Sequence, residues 1–563
     1  MPEPAKSSLY FDYPHFPFVT PPELRGEAVR HGVAIVGGGP VGLACALELA
    51  RFGVASVVIE DDDTVADGSR AVCVARRSMD ILQQLGPGGG VAERFADKGL
   101  PWTGGRSFYR DQVVFELDMP HGPDERHGPM LNLQQCYMEL YLAEAAAASG
   151  LVDIRWQSRV SAVAQDGAGA TLTVDTPDGA YELIADYVVA ADGARSAMRQ
   201  LMGLRLNGTS YEGTYLIADI KMASTHPIER RAWFDPPSNP GSTVLMHKQP
   251  DDIWRVDYQI LDDQDAEAEM REDRIRERIQ TQLDMVGETV AWELDWYSLY
   301  KAHCLCLDDY RHGRVFFVGD AAHLVPIFGV RGLNSGFADA NNLGWKLAWA
   351  VQGKGDDALL DSYSAERRAA TLEIFRQAGK STRFMTPPSR GYALMREAAL
   401  ELALDHDWPR PLIDPRQSAP YDYADSTLNS PGDDFAAGPA PGAPLANARQ
   451  GQLGNRATFL LDHLGPDCTL LHFAGADPVP AETLAACLVD GPPCRALVVA
   501  ATAQDMTGMT VLADATGKLA ATYGAEPGTT YLARPDGHVA ARWRQLDATQ
   551  VRAALARLTG RSP

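Results

Sequence analysis

A glycine-rich turn between an apolar strand and an alanine- and leucine-rich helix constrains this fold most strongly. The run VAIV at residues 33–36 predicts a buried strand, and the run GGGPVG at 37–42 opens the helix. Gly37 permits a tight turn, Gly39 lets backbone approach a pyrophosphate, and Gly42 lets the helix pack against the strand. The pattern predicts a Rossmann-type dinucleotide site, with a glycine-rich turn that binds nothing as the alternative.

The next predicted strand, residues 57–59, supports that prediction because it ends at Glu60. An acid at this spacing is expected to hold a ribose hydroxyl pair. Three aspartates follow at 61–63, and their charge would repel a 2′-phosphate. The site therefore favours an adenosine with a free ribose, as in FAD or NAD.

Two further predicted strands end in a turn that pairs an acid with a glycine. The strand at 187–190 leads into Asp192 and Gly193, and the strand at 315–318 leads into Gly319 and Asp320. After Asp320 a loop rich in proline and glycine precedes a predicted long helix. An acid and bare backbone amides thus converge on one spot, which suits a polar ligand.

These three motifs, in this order, resemble those of the single-component FAD-dependent aromatic hydroxylases, the family of phenol hydroxylase and 3-(3-hydroxyphenyl)propionate hydroxylase. The resemblance covers roughly residues 30 to 400. It implies an α/β fold in which a Rossmann-type FAD-binding domain is interleaved with an α+β substrate domain, as in para-hydroxybenzoate hydroxylase.

The resemblance implies a set of FAD contacts. The glycine-rich turn and Glu60 would hold the ADP half, the turn at Asp192 the pyrophosphate, and Asp320 the ribityl chain. Arg70 and Gln135 would reach the cofactor from other segments, with a surface turn or salt bridge as the alternative for each. The backbone at 332–334 would meet the pyrimidine edge of the flavin. The implied contacts are Gly37, Gly39, Pro40, Val41, Gly42, Glu60, Asp61, Arg70, Gln135, Val160, Asp192, Gly193, Gly319, Asp320, Pro326, Gly329, Gly332, Leu333 and Asn334.

A hairpin is predicted between the second and third motifs, from strands at 243–249 and 253–260. In the second strand apolar residues alternate with Arg255, Asp257 and Gln259, so one face is polar. Composition alone favours an ordinary solvated face. The resemblance favours substrate contacts instead, because the matching hairpin of para-hydroxybenzoate hydroxylase covers the flavin ring and binds substrate.

Four hairpin positions are implied substrate contacts: His247, Gln249, Arg255 and Asp257. Arg255 matches a family arginine near the flavin. The other three differ from the residues that hold the carboxylate of para-hydroxybenzoate, which argues against that substrate. His247 or Asp257 could hydrogen-bond a phenol and help remove its proton.

The implied activity is that of a monooxygenase, which uses NADPH or NADH and O2 to hydroxylate a phenol through a flavin C4a-hydroperoxide. Such chemistry needs water excluded and the phenolate favoured. Pro326 and the loop at 328–331 would lie at the reactive edge of the flavin. The charge of Arg331 would stabilise an anionic flavin or attract an acidic substrate, with a structural ion pair as the alternative. The candidate catalytic residues are therefore Pro326, Arg331, His247 and Asp257.

Length, charge and cysteine usage limit the number of domains, the partners and the location that we expect for this protein. A chain of 563 residues predicts about three domains. A net charge of -23 argues against nucleic acid and anionic membrane as partners, and no apolar run reaches the length of about 18 residues that spans a membrane. Residues 1–20 show no secretory signal. The eight cysteines form no C-x-x-C and no cluster with histidine, so we expect no metal and free thiols in the cytoplasm.

No second G-x-G-x-x-G follows a strand, so we expect a nicotinamide nucleotide that binds transiently rather than in its own domain. The C-terminal region resembles the thioredoxin-like domain of phenol hydroxylase. Because it lacks C-x-x-C, a structural or homodimer-facing role is favoured. The predicted bounds are an N-terminal extension at 1–30, the FAD-binding domain at 31–205 and 300–405, the substrate domain at 206–299, a proline-rich linker at 406–445 and the thioredoxin-like domain at 446–563.

Two other functions stay open. An FAD-dependent reductase or epoxidase on the same scaffold would keep every FAD motif. A flavoprotein without turnover, such as a sensor or an assembly scaffold, would keep them too. The features that discriminate lie in the hairpin and not in the glycine-rich turns.

Overall fold

The computed structural model describes residues 7–122, 124–261, 263–326, 328–414, 417, 419–453, 456–475, 480–489, 491–501 and 509–561. The first six residues of the predicted N-terminal extension and Pro415 of the predicted linker lie outside the described residues. The helices are, in chain order, α1 (Pro40–Arg51), α2 (Arg76–Leu82), α3 (Gly90–Lys98), α4 (Gln135–Ala148), α5 (Ala197–Leu201), α6 (Ala266–Glu269), α7 (Glu272–Met285), α8 (Gly332–Val351), α9 (Asp357–Met385), α10 (Arg390–Asp405), α11 (Arg410–Ile413), α12 (Ala481–Cys487), α13 (Lys518–Thr522) and α14 (Ala548–Arg557).

The strands are, in chain order, β1 (Arg30–Val36), β2 (Ser56–Ile59), β3 (Cys73–Ala75), β4 (Leu100–Trp102), β5 (Gly104–Tyr109), β6 (Gln112–Asp118), β7 (Met130–Asn132), β8 (Val152–Arg155), β9 (Arg159–Gln165), β10 (Ala170–Thr176), β11 (Gly179–Ala190), β12 (Asn207–Lys221), β13 (Arg230–Phe234), β14 (Thr243–Lys248), β15 (Ile253–Ile260), β16 (Glu293–Cys306), β17 (Arg311–His312), β18 (Val315–Phe317), β19 (His323–Leu324), β20 (Arg449–Leu453), β21 (Arg456–Phe459), β22 (Cys468–Phe473), β23 (Cys494–Ala500), β24 (Thr510–Ala513), β25 (Thr530–Ala533) and β26 (Val539–Trp543).

One sheet carries all three predicted turns. Its main path is β17-β18-β11-β1-β2-β8, and β10 and β9 extend it from β11. Strand β1 lies parallel to β2 and β11, and β11 lies parallel to β18. Because parallel strands end at the same edge, the turns that follow β1, β11 and β18 lie side by side. That edge of an open α/β sheet is where ligands bind.

Helices α1 and α8 pack closely because α8 presents two glycines to α1. A Cβ atom on Gly336 would overlap a methyl carbon of Val41, and one on Gly344 would overlap the Cβ of Glu48. Asn341 Nδ2 donates to Glu48 Oε1 across the same contact at 2.7 Å. The packing fixes the N-terminus of α8 beside that of α1.

A second sheet, in the order β19-β16-β12-β15-β14-β13-β5-β6, contains the predicted hairpin as β14 and β15. One face is covered by α7, whose Ile275 and Ile279 pack in one core with Trp254 and Val256. The opposite face holds Arg255, Asp257 and Gln259, which are only 5, 6 and 7 % exposed. The solvated face expected from composition alone is therefore wrong, because both faces of β15 are buried.

The long helix predicted after the third motif forms as α8, and the helices α9 and α10 that follow are separated around Pro387 and Pro388. A third sheet has the order β3-β7-β4. Its strands lie along the chain between strands of the two larger sheets. In the described part of the chain, no helix has both the length and the apolar character to cross a membrane.

The C-terminal region forms a sheet in the order β24-β23-β22-β25-β26, with β22 parallel to β23 and antiparallel to β25. Strands β25 and β26 form a hairpin, and α14 is the last helix of the described chain. Trp345 and Trp349 of α8 share one apolar core with Leu470 of β22 and Leu555 of α14. This region therefore packs on the helix that follows the third motif. Its thioredoxin-like assignment and the domain bounds stay predictions.

Candidate functional site

The glycine-rich turn has two crowded positions and one that borders open space. A Cβ atom on Gly37, where φ is +107°, would lie 2.6 Å from the carbonyl oxygen of Ala191, and one on Gly42 would overlap the carbonyl of Gly37. A Cβ atom on Gly39 would have Glu139 Oε1, at 3.9 Å, as its nearest neighbour. The backbone of Gly39 therefore stays open to a ligand, at the point where Pro40 and Val41 begin α1.

The acid at the end of β2 turns back towards the glycine-rich turn. Glu60 Oε2 accepts a hydrogen bond from the Gly38 amide at 2.5 Å. Burial raises the pKa of this carboxyl group above its usual range. The carbonyl of Glu60 accepts from the Ser158 amide at 2.8 Å, two residues before the buried Val160. Glu60, the exposed Asp61 and Val160 thus lie together beside the turn.

Arg199 joins the second and third turns. Its guanidinium donates to the carbonyl oxygens of Gly193 and Asp320 at 3.4 and 3.2 Å. Asp192 Oδ2 accepts from the Met198 amide at 2.9 Å, whereas Asp192 Oδ1 is buried and has no hydrogen-bond partner among the described residues. Burial raises the pKa of Asp192. One carboxylate oxygen is therefore left for a ligand or water.

The third turn is supported by a buried side chain of α8. The Gly319 amide donates to Asp339 Oδ2 at 2.9 Å, and the fully buried Asp339 also pairs with His323 at 2.7 Å and Arg367 at 2.5 Å. The side chain of Asp320 is exposed. The turn is thus rigidly supported while its second acid faces outwards.

The loop before α8 has an unusual backbone. Gly329 and Val330 both have positive φ angles, +89° and +55°, and Val330 is a residue type that rarely adopts one. Pro326 and Phe328 are buried, and Arg331 is 6 % exposed. The backbone conformation is consistent with a loop shaped by contacts on both of its sides.

The first turn of α8 keeps its backbone amides available because a side chain holds the loop. Asn334 Oδ1 accepts from the Ala75 amide at 2.8 Å, and Asn334 Nδ2 donates to the Val330 carbonyl at 2.6 Å. The amides of Gly332 and Leu333 lie in the first turn, where no intrahelical acceptor exists. They are suited to meet a polar ligand edge.

Two other predicted cofactor contacts, Arg70 and Gln135, lie in neighbouring segments of the FAD-binding region. Arg70 is exposed and its guanidinium pairs with Asp67 at 2.5 Å, which is the surface salt bridge named as its alternative. Gln135 accepts from the Ala71 amide at 3.1 Å and donates to Glu139 at 2.8 Å. Gln135 therefore fixes the segment that carries Arg70. Cofactor contacts of both residues stay predictions.

A buried acid that sequence patterns missed organises the hairpin. Asp219 of β12 is fully buried, and its Oδ1 accepts from Arg255 Nε at 3.2 Å and from Gln249 Nε2 at 2.9 Å. Ser69 bonds to both Asp219 and Arg255. The available signal was a lone acid within the apolar run at 215–220. Two of the four predicted substrate residues, Gln249 and Arg255, are thus engaged with Asp219.

The other two predicted substrate residues, His247 and Asp257, are buried with unused polar atoms; we call them the pocket pair. They lie on the same sheet face, because His247 pairs with Arg255 and Asp257 with Leu245 across the strands. Both ring nitrogens of His247 and Oδ1 of Asp257 have no hydrogen-bond partner in the described structure. Burial lowers the pKa of His247 well below its usual range and raises that of Asp257 to about 6.

A cavity that is partly open to solvent, with about 470 Å³ of empty space including that open part, lies between this sheet face and the loop before α8. Its lining is Gly105, Arg106, Ser107, Phe115, Leu117, Arg230, Ala232, Phe234, Leu245, Phe328, Gly329, Met385, Ile413 and Gln417. Most of these side chains are apolar. Within the described ranges, no group of three or more His, Cys, Asp or Glu residues could hold a metal ion.

The family model described as an FAD binding domain matches residues 30–378, which include all three turns and the hairpin. The chain belongs to this FAD-binding family. The prediction of FAD as the cofactor is therefore confirmed. The predicted α/β fold class, with a Rossmann-type FAD-binding domain interleaved with an α+β substrate domain, is confirmed as well.

Relatives of this FAD-binding chain include the 3-(3-hydroxy-phenyl)propionate/3-hydroxycinnamic acid hydroxylase of Mycolicibacterium smegmatis, which is 32 % identical over 369 residues. The match spans 65 % of this chain and 63 % of that relative, which is less than two thirds of its length.

Two solved structures share the fold almost throughout. Aklavinone-11 hydroxylase in complex with FAD and aklavinone has a TM-score of 0.73 and 25 % identity, and covers 94 % of this chain and 99 % of its own. The flavin-dependent monooxygenase PieE in complex with FAD and substrate has a TM-score of 0.79 and 24 % identity over the same shares. The likeness to these two structures thus extends beyond residue 378 into the C-terminal region.

Proposed function

We propose that this protein is an FAD-dependent monooxygenase that uses NADPH or NADH and O2 to hydroxylate a phenolic ring. The observation that carries the proposal is the apolar cavity, whose wall residue Leu245 is the cross-strand neighbour of Asp257 in the pocket pair. Apolar walls suit an aromatic ring, and buried polar atoms without partners suit its hydroxyl group. The hydroxylase names of the relatives support the same reaction class.

The three turns fit FAD. Gly39 borders open space where backbone can approach a pyrophosphate, and Asp192 keeps an oxygen without a partner. When bound, FAD supplies the redox chemistry that activates O2. We infer that the ADP half is held by Gly37, Gly39, Pro40, Val41, Gly42, Glu60, Asp61 and Val160, the middle of the cofactor by Asp192, Gly193, Gly319 and Asp320, and the ring by Arg70, Gln135, Pro326, Gly329, Gly332, Leu333 and Asn334.

The pocket pair is suited to receive the phenol proton. Because burial lowers its pKa, His247 is neutral at pH 7 and one ring nitrogen can accept a hydrogen bond. Asp257, with a pKa of about 6, is mostly ionised at pH 7 and is a stronger acceptor than a carboxylate of ordinary pKa. A phenol that donates to either group is drawn towards the phenolate, which is the better nucleophile.

The loop before α8 completes the cavity. Phe328 and Gly329 line it from the side opposite the sheet, and Leu245 and Phe234 line it from the sheet. These apolar groups exclude water from the reacting ring. The buried charge of Arg331 lies at the end of the same loop, where it would favour an anionic flavin or an acidic substrate.

The nicotinamide nucleotide and the setting are further parts of the proposal. We infer that NADPH or NADH binds transiently near the turn at Gly193. All eight cysteines are free thiols, which supports a location in the reducing cytoplasm. A homodimer through the C-terminal region stays a prediction.

The test is to record NADH and NADPH oxidation by the purified yellow protein against a panel of phenols, with the mass of each product. We expect phenol-dependent oxidation and a product that has gained one oxygen atom. Nucleotide oxidation without oxygen gain would indicate a reductase. Oxygen gain only on non-phenolic alkenes would indicate an epoxidase, and tight FAD binding without turnover on any substrate a non-catalytic flavoprotein.

A further inference from the structure

The cavity is lined by two arginines that differ in their partners. Arg106 donates to both carboxylate oxygens of Glu229, at 3.1 and 3.0 Å from its Nε, so its charge is balanced. Arg230 has no ion pair among the described residues, and its Nη1 atom is buried without a hydrogen-bond partner. Arg106 aligns with Arg231 in the strand register, so its side chain lies on the opposite sheet face, whereas Arg230 shares the face of Ala232 and Leu245 that borders the cavity.

A buried guanidinium nitrogen without a partner is costly, since it loses its water and gains nothing in return. Around it the cavity wall is apolar, with Leu117, Ala232 and Leu245 as neighbours in the lining. Asp257 is close enough for Arg230 to lower its pKa, but no ion pair joins the two among the described residues. An acceptor from a ligand would remove the cost.

The chemistry of that acceptor follows from the groups already present. The pocket pair supplies acceptors for a phenol hydroxyl, so the hydroxyl does not need Arg230. The guanidinium is planar, always charged and forked, which matches a carboxylate better than any neutral oxygen. Gln417, whose amide atoms also have no described partner, lines the same cavity and can bond a second carboxylate oxygen.

We propose that Arg230 is a specificity residue that binds a carboxylate on the substrate, so that the preferred substrates are phenols bearing an acidic side chain. The proposal rests on the proposed hydroxylase function for the identity of the ring. The proposal can be tested without turnover, because measurements of substrate binding are sufficient. Arg230 lies outside the four substrate contacts expected from the sequence.

The experiment compares a carboxylate with its neutral isostere on FAD-loaded protein without any nicotinamide nucleotide. The probes are 3-(3-hydroxyphenyl)propionate and its primary amide, and, as a larger ring pair, 6-hydroxy-2-naphthoate and its primary amide. The dissociation constant of each is read from the change in flavin absorbance and from calorimetry. The variants are Arg230→Gln, Arg230→Lys and, as a matched control, Arg231→Gln on the opposite face of the same strand.

We expect wild-type protein to bind at least one acid more tightly than its amide by roughly 10- to 100-fold, the worth of one charge-assisted pair. Arg230→Gln should lose this preference while it keeps its affinity for the amide. Arg230→Lys should keep part of the preference, and Arg231→Gln all of it.

Three results would overturn the proposal. One is that wild-type protein binds neither acid more tightly than its amide. Another is that Arg230→Gln retains the preference. The last is an equal loss of acid and amide binding in Arg230→Gln, which would place Arg230 at the ring or at the phenol oxygen. Failure of the hydroxylase function would appear separately, as a protein that binds these acids but transfers no oxygen.

Discussion

Two groups of buried charges in this molecule differ in how completely they are partnered. The tail cluster, Lys346, Glu366, Arg534 and Asp536, joins α8 and α9 to the C-terminal hairpin. Arg534 donates to both oxygens of Glu366 at 2.6 and 3.0 Å, and Lys346 donates to Glu366 at 2.7 Å. The pocket pair, in contrast, leaves three polar atoms unused. Buried ionisable groups therefore stabilise the fold in the tail cluster, whereas those of the pocket pair are available to bind a ligand.

The pKa shifts follow the same division. Burial alone would raise the pKa of Glu366, but Arg534 and Lys346 outweigh it and lower that pKa far below its usual range. For Asp257 burial wins over Arg255, and the pKa rises to about 6. A carboxylate with two cationic partners is fixed as a charge, whereas one with a distant partner can take up a proton near neutral pH. The first suits structure and the second suits proton transfer.

The largest effect is expected from breaking the tail cluster. Arg534→Ala removes the cation shared by the buried Glu366 and Asp536, leaves Lys346 as the remaining cation at Glu366, and should reduce the free energy of unfolding by about 3–5 kcal/mol. Denaturant unfolding followed by circular dichroism measures it. Arg376→Ala is the matched control, because its partner Glu373 is on the surface, and it should unfold at the wild-type midpoint. Equal midpoints for Arg534→Ala and wild type would refute the structural role.

Next in size is the loss of the pocket carboxylate. Asp257→Asn should lower kcat/KM for phenol hydroxylation by about 100-fold or more, because it removes a general base. Its free energy of unfolding at pH 7 should equal or exceed that of wild type, because a buried charge is removed. Asp252→Asn, in the exposed turn of the same hairpin, serves as the control. A stability loss as large as that of Arg534→Ala would erase the distinction between the two groups.

A third prediction concerns pH. The base form of Asp257 is its carboxylate, so the hydroxylation rate should fall as pH drops through about 6, by about tenfold per unit. The folded-state pKa lies above that of an unfolded aspartate, so this group lowers stability as pH rises from about 4 to 6. Both trends should disappear in Asp257→Asn. If the hydroxylation rate of Asp257→Asn still fell at low pH, the titrating group would be a residue other than Asp257.

The smallest effect is expected at the other member of the pocket pair. His247→Leu replaces a buried ring without partners by an apolar side chain of similar size, and should raise the free energy of unfolding by about 1 kcal/mol. The phenol KM should rise at the same time. Lys346→Met, the parallel change in the tail cluster, should destabilise because Glu366 loses a partner. A stability loss in His247→Leu would show that the ring has a structural role.

Local sequence patterns predicted the turns of the fold better than the hydrogen bonds of Asp219 and Arg199 that support them. The glycine-rich turn, its acid Glu60 and the hairpin were predictable because each depends on a few neighbouring residues. Asp219 and Arg199 escaped an assigned role, because Arg199 bonds to Asp320, 121 residues away, and Asp219 bonds to Ser69, 150 residues away. The burial of Asp257 was unpredictable from alternation, which shows that a strand has a polar face but not what covers it. Arg230 was missed for the same reason.

The hydroxylase function is tested by the mass of the product made from a phenol under oxygen-18 gas. The phenol should be one that stimulates nucleotide oxidation, and the Asp257→Asn enzyme should be assayed beside wild type. We predict that wild-type protein places one oxygen-18 atom in each product molecule and that Asp257→Asn yields far less of it. Nucleotide oxidation that yields only hydrogen peroxide, with no label in the phenol, would contradict the account.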